Sequence, residues 1–165
     1  MPLANRVLRR EHTIAEFREA AVMRLQEARR LAAAGDRLAA IYLAGYAAEM
    51  TLKAAFFRLS GFKTLTPITM TDINGAKSHC VHVHQIPWRG SLHDLTSWAT
   101  LLIEERKLRG APYDPAFARR LSSVVNRIYQ RWRERFRYHA NRPYLGEVET
   151  TLAAVDWLVH HDSDL

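Results

Sequence analysis

The sequence has a single cysteine, Cys80, and this excludes any disulfide within the chain. It has no run of residues that is both long enough and apolar enough to span a bilayer. Its first residues, MPLANRVLRREHTIAEF, lack the apolar core of a signal peptide. We therefore predict a cytoplasmic protein in a reducing compartment, with no membrane partner.

Several motifs of nucleotide-dependent and hydrolytic enzymes are also missing. Neither the GxGxxG nor the GxxxxGK[ST] phosphate-binding loop occurs, and no GxSxG nucleophile elbow is present. We accordingly predict no cofactor. The neighbouring carboxylates Glu104 and Glu105 are expected to lie solvated on a helix surface.

Histidines cluster in the segment SHCVHVHQ, which contains His79, Cys80, His82 and His84, with His93 shortly after. Imidazole and thiolate groups at close spacing are zinc ligands, so a metal site is one interpretation. The other is a polar loop with incidental histidines. The absence of a CxxC pair and of a helical HxxxH pair favours the second, so we predict no metal site.

Acidic residues are outnumbered by basic ones, 17 to 24, so the net charge is +7 and the isoelectric point is near 10. Such an excess favours an acidic partner, either a nucleic acid or an acidic protein. Charge alone does not distinguish between them.

Apolar residues recur with helical spacing in five segments. The predicted helices are residues 11–33, 36–59, 91–108, 115–138 and 147–160. Gly35 is the expected C-terminal cap of the first, while Asp36, Ser91 and the pair Asp114–Pro115 are expected to begin the next three. The second is apolar on most sides, which is typical of a central helix, and Gly45 would allow a neighbour to approach it closely.

The predicted fold is therefore all-α, with the first two helices as an antiparallel hairpin. Residues 60–90 show no helical period and are expected to be one long irregular loop, in which residues 64–71 and 80–86 are either short strands or extended loop. Residues 1–10 are expected to be a basic N-terminal arm, and residues 11–165 a single domain. We predict an antiparallel four-helix bundle with a closing fifth helix.

The segment RWRERFRYHANRPY, residues 131–144, combines arginines with aromatic residues at the end of a predicted helix. Arg133 and Arg137 are four residues apart and would share one helix face, close to His139. Guanidinium groups beside an imidazole are suited to binding a phosphate. The alternative is a solvated basic face whose side-chain stems pack against the helix.

Three short motifs, taken in order, resemble the HEPN family (higher eukaryotes and prokaryotes nucleotide-binding). The first is E-x-x-L-K, at residues 49–53; the second is H-D-L, at residues 93–95; and the third is the arginine-rich segment. The resemblance covers residues 20–158. It implies an all-α domain that forms homodimers, and in many members a metal-independent endoribonuclease with an R-x4-6-H motif.

The resemblance allows two assignments of the third motif. In one, Arg133 and His139 are the catalytic pair, and Arg131, Arg137 and Arg142 bind phosphate or RNA. In the other, Arg137, Arg142 and Tyr144 correspond to the R-x4-H-x-Y motif of toxin members. Arg142 then replaces the histidine, and Tyr144 is the residue that a minimal nucleotidyltransferase antitoxin modifies.

These assignments predict different functions. With His139 exchanging a proton and an arginine stabilising the phosphorane, the chain is a toxin- or defence-type endoribonuclease acting as a dimer. With Arg142 in the histidine's place, that position keeps phosphate binding but cannot act as a base near neutrality, and the chain is a non-catalytic module that binds RNA, a nucleotide or a partner nucleotidyltransferase. A purely structural dimer is the third hypothesis. We favour the ribonuclease.

Overall fold

The computed structural model describes residues 11–132 and 143–165, and within these ranges the chain is helical, without a β-strand. His12 and Ile68 form one isolated antiparallel bridge. The helices are α1 (Ile14–Ala33), α2 (Arg37–Leu59), α3 (Met70–His82), α4 (Leu95–Leu108), α5 (Pro115–Arg131) and α6 (Leu145–His160). The all-α prediction is confirmed, whereas the arrangement as four helices plus a closing fifth stays a prediction. The predicted arm, residues 1–10, lies outside the described residues.

Local capping and turn residues set the start of the hairpin of α1 and α2 and the turn between these helices. Thr13 and Glu16 form a capping box, in which each side chain accepts a hydrogen bond from the other residue's backbone N–H. Gly35 has a φ of 87°, a conformation that glycine adopts without steric cost, and it reverses the chain as predicted. Asp36 occupies the N-cap of α2, but its side chain makes no capping hydrogen bond.

Helix α2 is the central element, as its composition predicts, because it packs against α1, α4, α5 and α6. Buried side chains from all six helices join one apolar cluster around it. The cluster includes most of α2's alanines, which are fully buried and let neighbouring helices approach closely.

The expectation of an irregular loop over residues 60–90 is wrong in its central part, where α3 forms. Thr69 and Asp72 make a second capping box at its start. Only Ile73, Ala76 and Cys80 of this helix are buried, so its apolar stripe is too sparse to stand out in the sequence.

Two other predicted helix boundaries shift by four residues or more. Asp94, rather than Ser91, caps α4, because its carboxylate accepts hydrogen bonds from the backbone N–H groups of Thr96 and Ser97. Helix α5 begins at Asp114 and Pro115 as predicted, but it ends at Arg131 rather than continuing to residue 138. Trp132 has an extended backbone, with φ −124° and ψ 134°.

Candidate functional site

The carboxylate of Glu49 lies at the centre of a polar network on the middle of α2. Lys53 Nζ is 2.5 Å from Glu49 Oε1, and His93 Nδ1 lies 3.0 Å from Oε1 and 2.9 Å from Oε2. Glu49 and Lys53 are 4% and 7% exposed, so this ion pair is inside the protein. The predicted Glu49–Lys53 pair is thus present, and His93, from the segment before α4, joins it.

The environment of Glu49 favours its ionised form. Burial acts to raise the pKa of its carboxyl group, but the hydrogen bond with His93 and the charge of Lys53 outweigh burial and lower the pKa below its ordinary value. An ionised carboxylate fixes the orientation of the imidazole that it contacts. Glu49 therefore positions His93.

The residues after His93 fix the start of α4 beside this network. Asp94 is 1% exposed and satisfies three donors: the backbone N–H groups of Thr96 and Ser97 and the Thr96 hydroxyl. Leu95, which follows, is completely buried. The H-D-L segment is thus a fixed connection between the polar network and the core.

Trp132, near the start of the arginine-rich segment, packs against α2 at Gly45, one helical turn before Glu49. Its indole Nε1 donates a hydrogen bond to the backbone oxygen of Tyr42 at 3.0 Å, and its ring packs against Gly45. The Tyr46 ring packs edge to face with two other rings. Its centroid lies 5.5 Å from that of Trp132 and 6.2 Å from that of His93. A continuous aromatic path therefore connects the start of the arginine-rich segment to the Glu49 network.

Of the predicted site residues, Arg131 and Tyr144 are described. Arg131 is half-buried in the last turn of α5, and its guanidinium donates a hydrogen bond to the backbone oxygen of Arg127 at 3.2 Å. Tyr144 is 79% exposed just before α6. The remaining predicted catalytic and phosphate-binding residues lie outside the described residues: Arg133, Arg137, His139 and Arg142.

The far end of the arginine-rich segment also lies against α2. The guanidinium of Arg37, in the first turn of α2, is 3.5 Å from the backbone oxygen of Pro143. Trp132 and Pro143, the described residues on either side of residues 133–142, therefore both contact the N-terminal half of the central helix.

A second polar cluster brings together residues that the sequence did not connect. His79 and His84 both contact one oxygen of Glu105, with Nε2 atoms at 2.7 and 3.0 Å from Oε2. Arg109 Nε donates to the other oxygen at 2.6 Å. The expectation that Glu105 is solvated is wrong, because the residue is 3% exposed.

Glu105 is strongly biased toward its ionised form. Burial acts to raise the pKa of the carboxyl group, but hydrogen bonds from His79, Arg109 and His84 outweigh it and lower the pKa to about 2. Two imidazoles and an ionised carboxylate are a donor set that can bind a transition metal.

The other residues of the predicted histidine loop do not join this cluster. Cys80 is buried, with its thiol toward the backbone oxygen of Ile86 and its pKa raised by burial. His82 is exposed, and His93 belongs to the Glu49 network.

Comparison of the chain with protein-family models, with curated proteins and with solved structures finds no match. Among the described residues, no helix is both long and apolar enough to cross a membrane.

Proposed function

We propose that this chain is an RNA-associated domain of the HEPN type, in which the arginine-rich segment binds the phosphate backbone. One observation carries the proposal: the described residues of the three segments on which the resemblance rests (49–53, 93–95 and Trp132) meet on α2. Glu49 and His93 are in contact, and Trp132 reaches them through Tyr46. These segments are far apart in sequence, and a chance likeness of three short motifs gives no reason for them to meet.

The specific activity that we propose is metal-independent RNA cleavage by a homodimer, with Arg133 and His139 as the catalytic pair. His139 would accept the proton of the attacking 2′-hydroxyl, whose oxygen bonds to phosphorus as the bond to the 5′-oxygen breaks, and the resulting imidazolium would give a proton to that leaving oxygen. Arg133 would stabilise the charge that develops on the phosphate. Arg137, Arg142 and Arg131 would bind the flanking phosphates. Two-fold symmetry would bring the same groups from both protomers to one cleft. A cytoplasmic location belongs to this proposal.

The direct test uses purified full-length chain and fluorescently labelled single-stranded RNAs, in the presence of EDTA. We expect cleavage by the wild type, and at least about 100-fold slower cleavage by Arg133→Ala and His139→Ala, because general acid–base groups contribute about that much. Arg119→Ala is the matched control, since it removes one positive charge from an exposed position on α5. RNAs left intact by the wild type would contradict the proposed ribonuclease activity.

The exposure of Tyr144 favours a second candidate function. A side chain that is 79% exposed is accessible to a modifying partner, as the assignment with Arg137, Arg142 and Tyr144 requires. In this function the chain is a non-catalytic module that binds RNA or a nucleotide and pairs with a minimal nucleotidyltransferase.

The two functions differ in what His139→Ala does. A non-catalytic module binds labelled RNA with a steep salt dependence, loses affinity in Arg137→Ala and Arg142→Ala, and is unchanged in His139→Ala. Sedimentation with and without RNA tests the dimer and the binding together. A dimer whose sedimentation does not change with RNA would support the third hypothesis, in which the basic surface only aids solubility.

A further inference from the structure

The contact of two imidazoles with one carboxylate, between α3 and α4, has the composition of a metal site. One ring nitrogen of His79, one ring nitrogen of His84 and a carboxylate oxygen of Glu105 all lie within 4.8 Å of one another. Two histidines and one glutamate are the protein ligands of one type of catalytic zinc site, in which a fourth position stays open. This cluster shares no residue with the Glu49 network or with the proposed RNA-binding segment.

The backbone at the end of α3 is shaped so that both histidines reach the same carboxylate. Residues five apart on a continuous helix point in different directions. Here α3 ends at His82, and Gln85 adopts a φ of 55°, the only positive φ of a non-glycine residue in the described part of the chain. The backbone N–H of Ile86 then bonds to the oxygen of Cys80 at 3.1 Å. This reversal places His84 against His79, with ring centroids 5.1 Å apart.

The carboxylate that both rings contact is fixed from the other side. Arg109, the C-cap residue of α4, donates to Oε1 of Glu105 and leaves Oε2 to the two histidines. The side chains of Glu105 and His84 are 4% and 8% exposed, whereas that of His79 is 34% exposed. Metal-binding carboxylates are commonly oriented by such an outer hydrogen bond.

The cluster also has an entry path. His79, Glu105 and Arg109 line a cleft of about 440 Å³ together with Phe57 and Phe62. An ion bound by the three ligands would have a coordination position available toward this cleft. The side chain of His79 is one-third exposed, so its ring can move outward. A tetrahedral ion requires this movement, because its ligand atoms lie about 3.3 Å apart, whereas His79 Nε2 and Glu105 Oε2 are 2.7 Å apart.

We propose that His79, His84 and Glu105 bind a divalent transition-metal ion, for which Zn²⁺ is the best match to the donor set. Imidazole nitrogen with a single carboxylate oxygen suits zinc, while magnesium and calcium prefer oxygen ligands throughout. Arg109 is a positioning residue in this site, and the open coordination position faces the cleft.

The test uses the full-length chain without an affinity tag, stripped of metal and titrated with Zn²⁺ by calorimetry. We expect one ion bound per chain. Because the loss of an outer hydrogen bond to a ligand typically costs 10–100-fold in affinity, loss of a ligand in His79→Ala or His84→Ala should cost about 100-fold or more. His82→Ala is the matched control, since this exposed histidine lies on the same helix and outside the cluster. Its affinity should equal that of the wild type.

Two further measurements keep the result interpretable. Thermal unfolding should show that Zn²⁺ raises the midpoint of the wild type and of His82→Ala but not of His79→Ala, whose helical circular dichroism should match the wild type. Co²⁺, used as a spectroscopic probe, should give the visible absorption of a four-coordinate site. An absence of saturable Zn²⁺ binding to the folded wild type would overturn the proposal. Binding that His82→Ala weakens as much as His79→Ala would overturn it equally. RNA cleavage in EDTA is independent of both results, so the two proposals fail separately.

Discussion

Gly45 lies directly against the indole of Trp132: a Cβ atom built on this glycine would come within 2.1 Å of the ring. Trp132 is completely buried and its Nε1 is hydrogen-bonded to the backbone of Tyr42, so the ring has little room to move. The missing side chain at residue 45 is therefore what allows the chain to enter the core at the point where the arginine-rich segment begins.

Gly45→Ala should destabilise the fold. Replacement of glycine by alanine within a helix stabilises by about 0.5–1 kcal/mol, but overpacking a rigid core costs about 1–3 kcal/mol, and here the displaced group is a buried tryptophan. We expect a net loss of about 2 kcal/mol in the free energy of unfolding, measured by urea denaturation. The fluorescence of Trp132 should also change.

Gly75→Ala is the matched control for this prediction. Gly75 lies inside α3, and a Cβ atom there would meet nothing within 4 Å. The same substitution should stabilise by about 0.5–1 kcal/mol at this position. Equal effects at the two glycines would show that Trp132 does not limit the space at residue 45.

Glu49→Gln should cost about 3 kcal/mol or more of stability, because it leaves the buried ammonium group of Lys53 without its counter-charge. Glu27→Gln is the control. Glu27 pairs with Arg24 near the surface of α1, where loss of an ion pair typically costs less than about 1 kcal/mol. Similar losses in both variants would contradict an energetic role for the buried network.

The cost of Glu49→Gln should also depend on pH. The pKa of Glu49 in the folded chain is below its ordinary value of 4.5, so the unfolded chain binds more protons in the acid range. The stabilisation by Glu49 is thus fully present above about pH 5 and is lost as pH falls through the lowered pKa. The charged and titratable groups facing Glu49 are Lys53 and His93. The wild type and the variant should converge in stability as the solution is acidified; a constant difference would refute the linkage.

Asp94→Ala should destabilise by about 2 kcal/mol, because Asp94 is buried and its carboxylate caps α4 through two backbone N–H groups. Asp36→Ala supplies the comparison, since Asp36 occupies the same position on α2 without a capping hydrogen bond. We expect a loss of less than about 0.5 kcal/mol there. Thermal unfolding of the two variants side by side measures the difference, and equal losses would contradict the capping role.

The features that the sequence predicted correctly are local ones. The turn at Gly35, the start of α5 at Asp114 and Pro115, and the pairing of Glu49 with Lys53 depend on residues within one helical turn. Their signals are complete in the sequence, because the interacting groups are neighbours along the chain.

The features that it missed depend on packing or on distant residues. The helical period of α5 continues past Arg131, yet the chain becomes extended at Trp132, where the indole reaches α2. Helix α3 had a usable signal in the T-x-x-D capping box that Thr69 begins, but few apolar residues follow it. The convergence of His79 and His84 on Glu105 spans more than twenty residues, and no spacing rule predicts it.

Arg131→Gln should weaken RNA binding and reduce its salt dependence. Arg131 is the described member of the proposed phosphate-binding set, and it immediately precedes the buried Trp132. A guanidinium that contacts one phosphate releases about one counterion. The negative slope of log affinity against log salt should therefore become less steep by about 1.

The control for Arg131→Gln is Arg119→Gln, which makes the same change of charge three turns earlier on the exposed side of α5. Fluorescence anisotropy of labelled RNA across a salt series gives both slopes. We expect the Arg119→Gln slope to equal that of the wild type, because a distant charge adds no contact with a bound phosphate. Equal reductions in the two variants would mean that RNA responds only to net charge. In that case the arginine-rich segment would not be a localised binding surface.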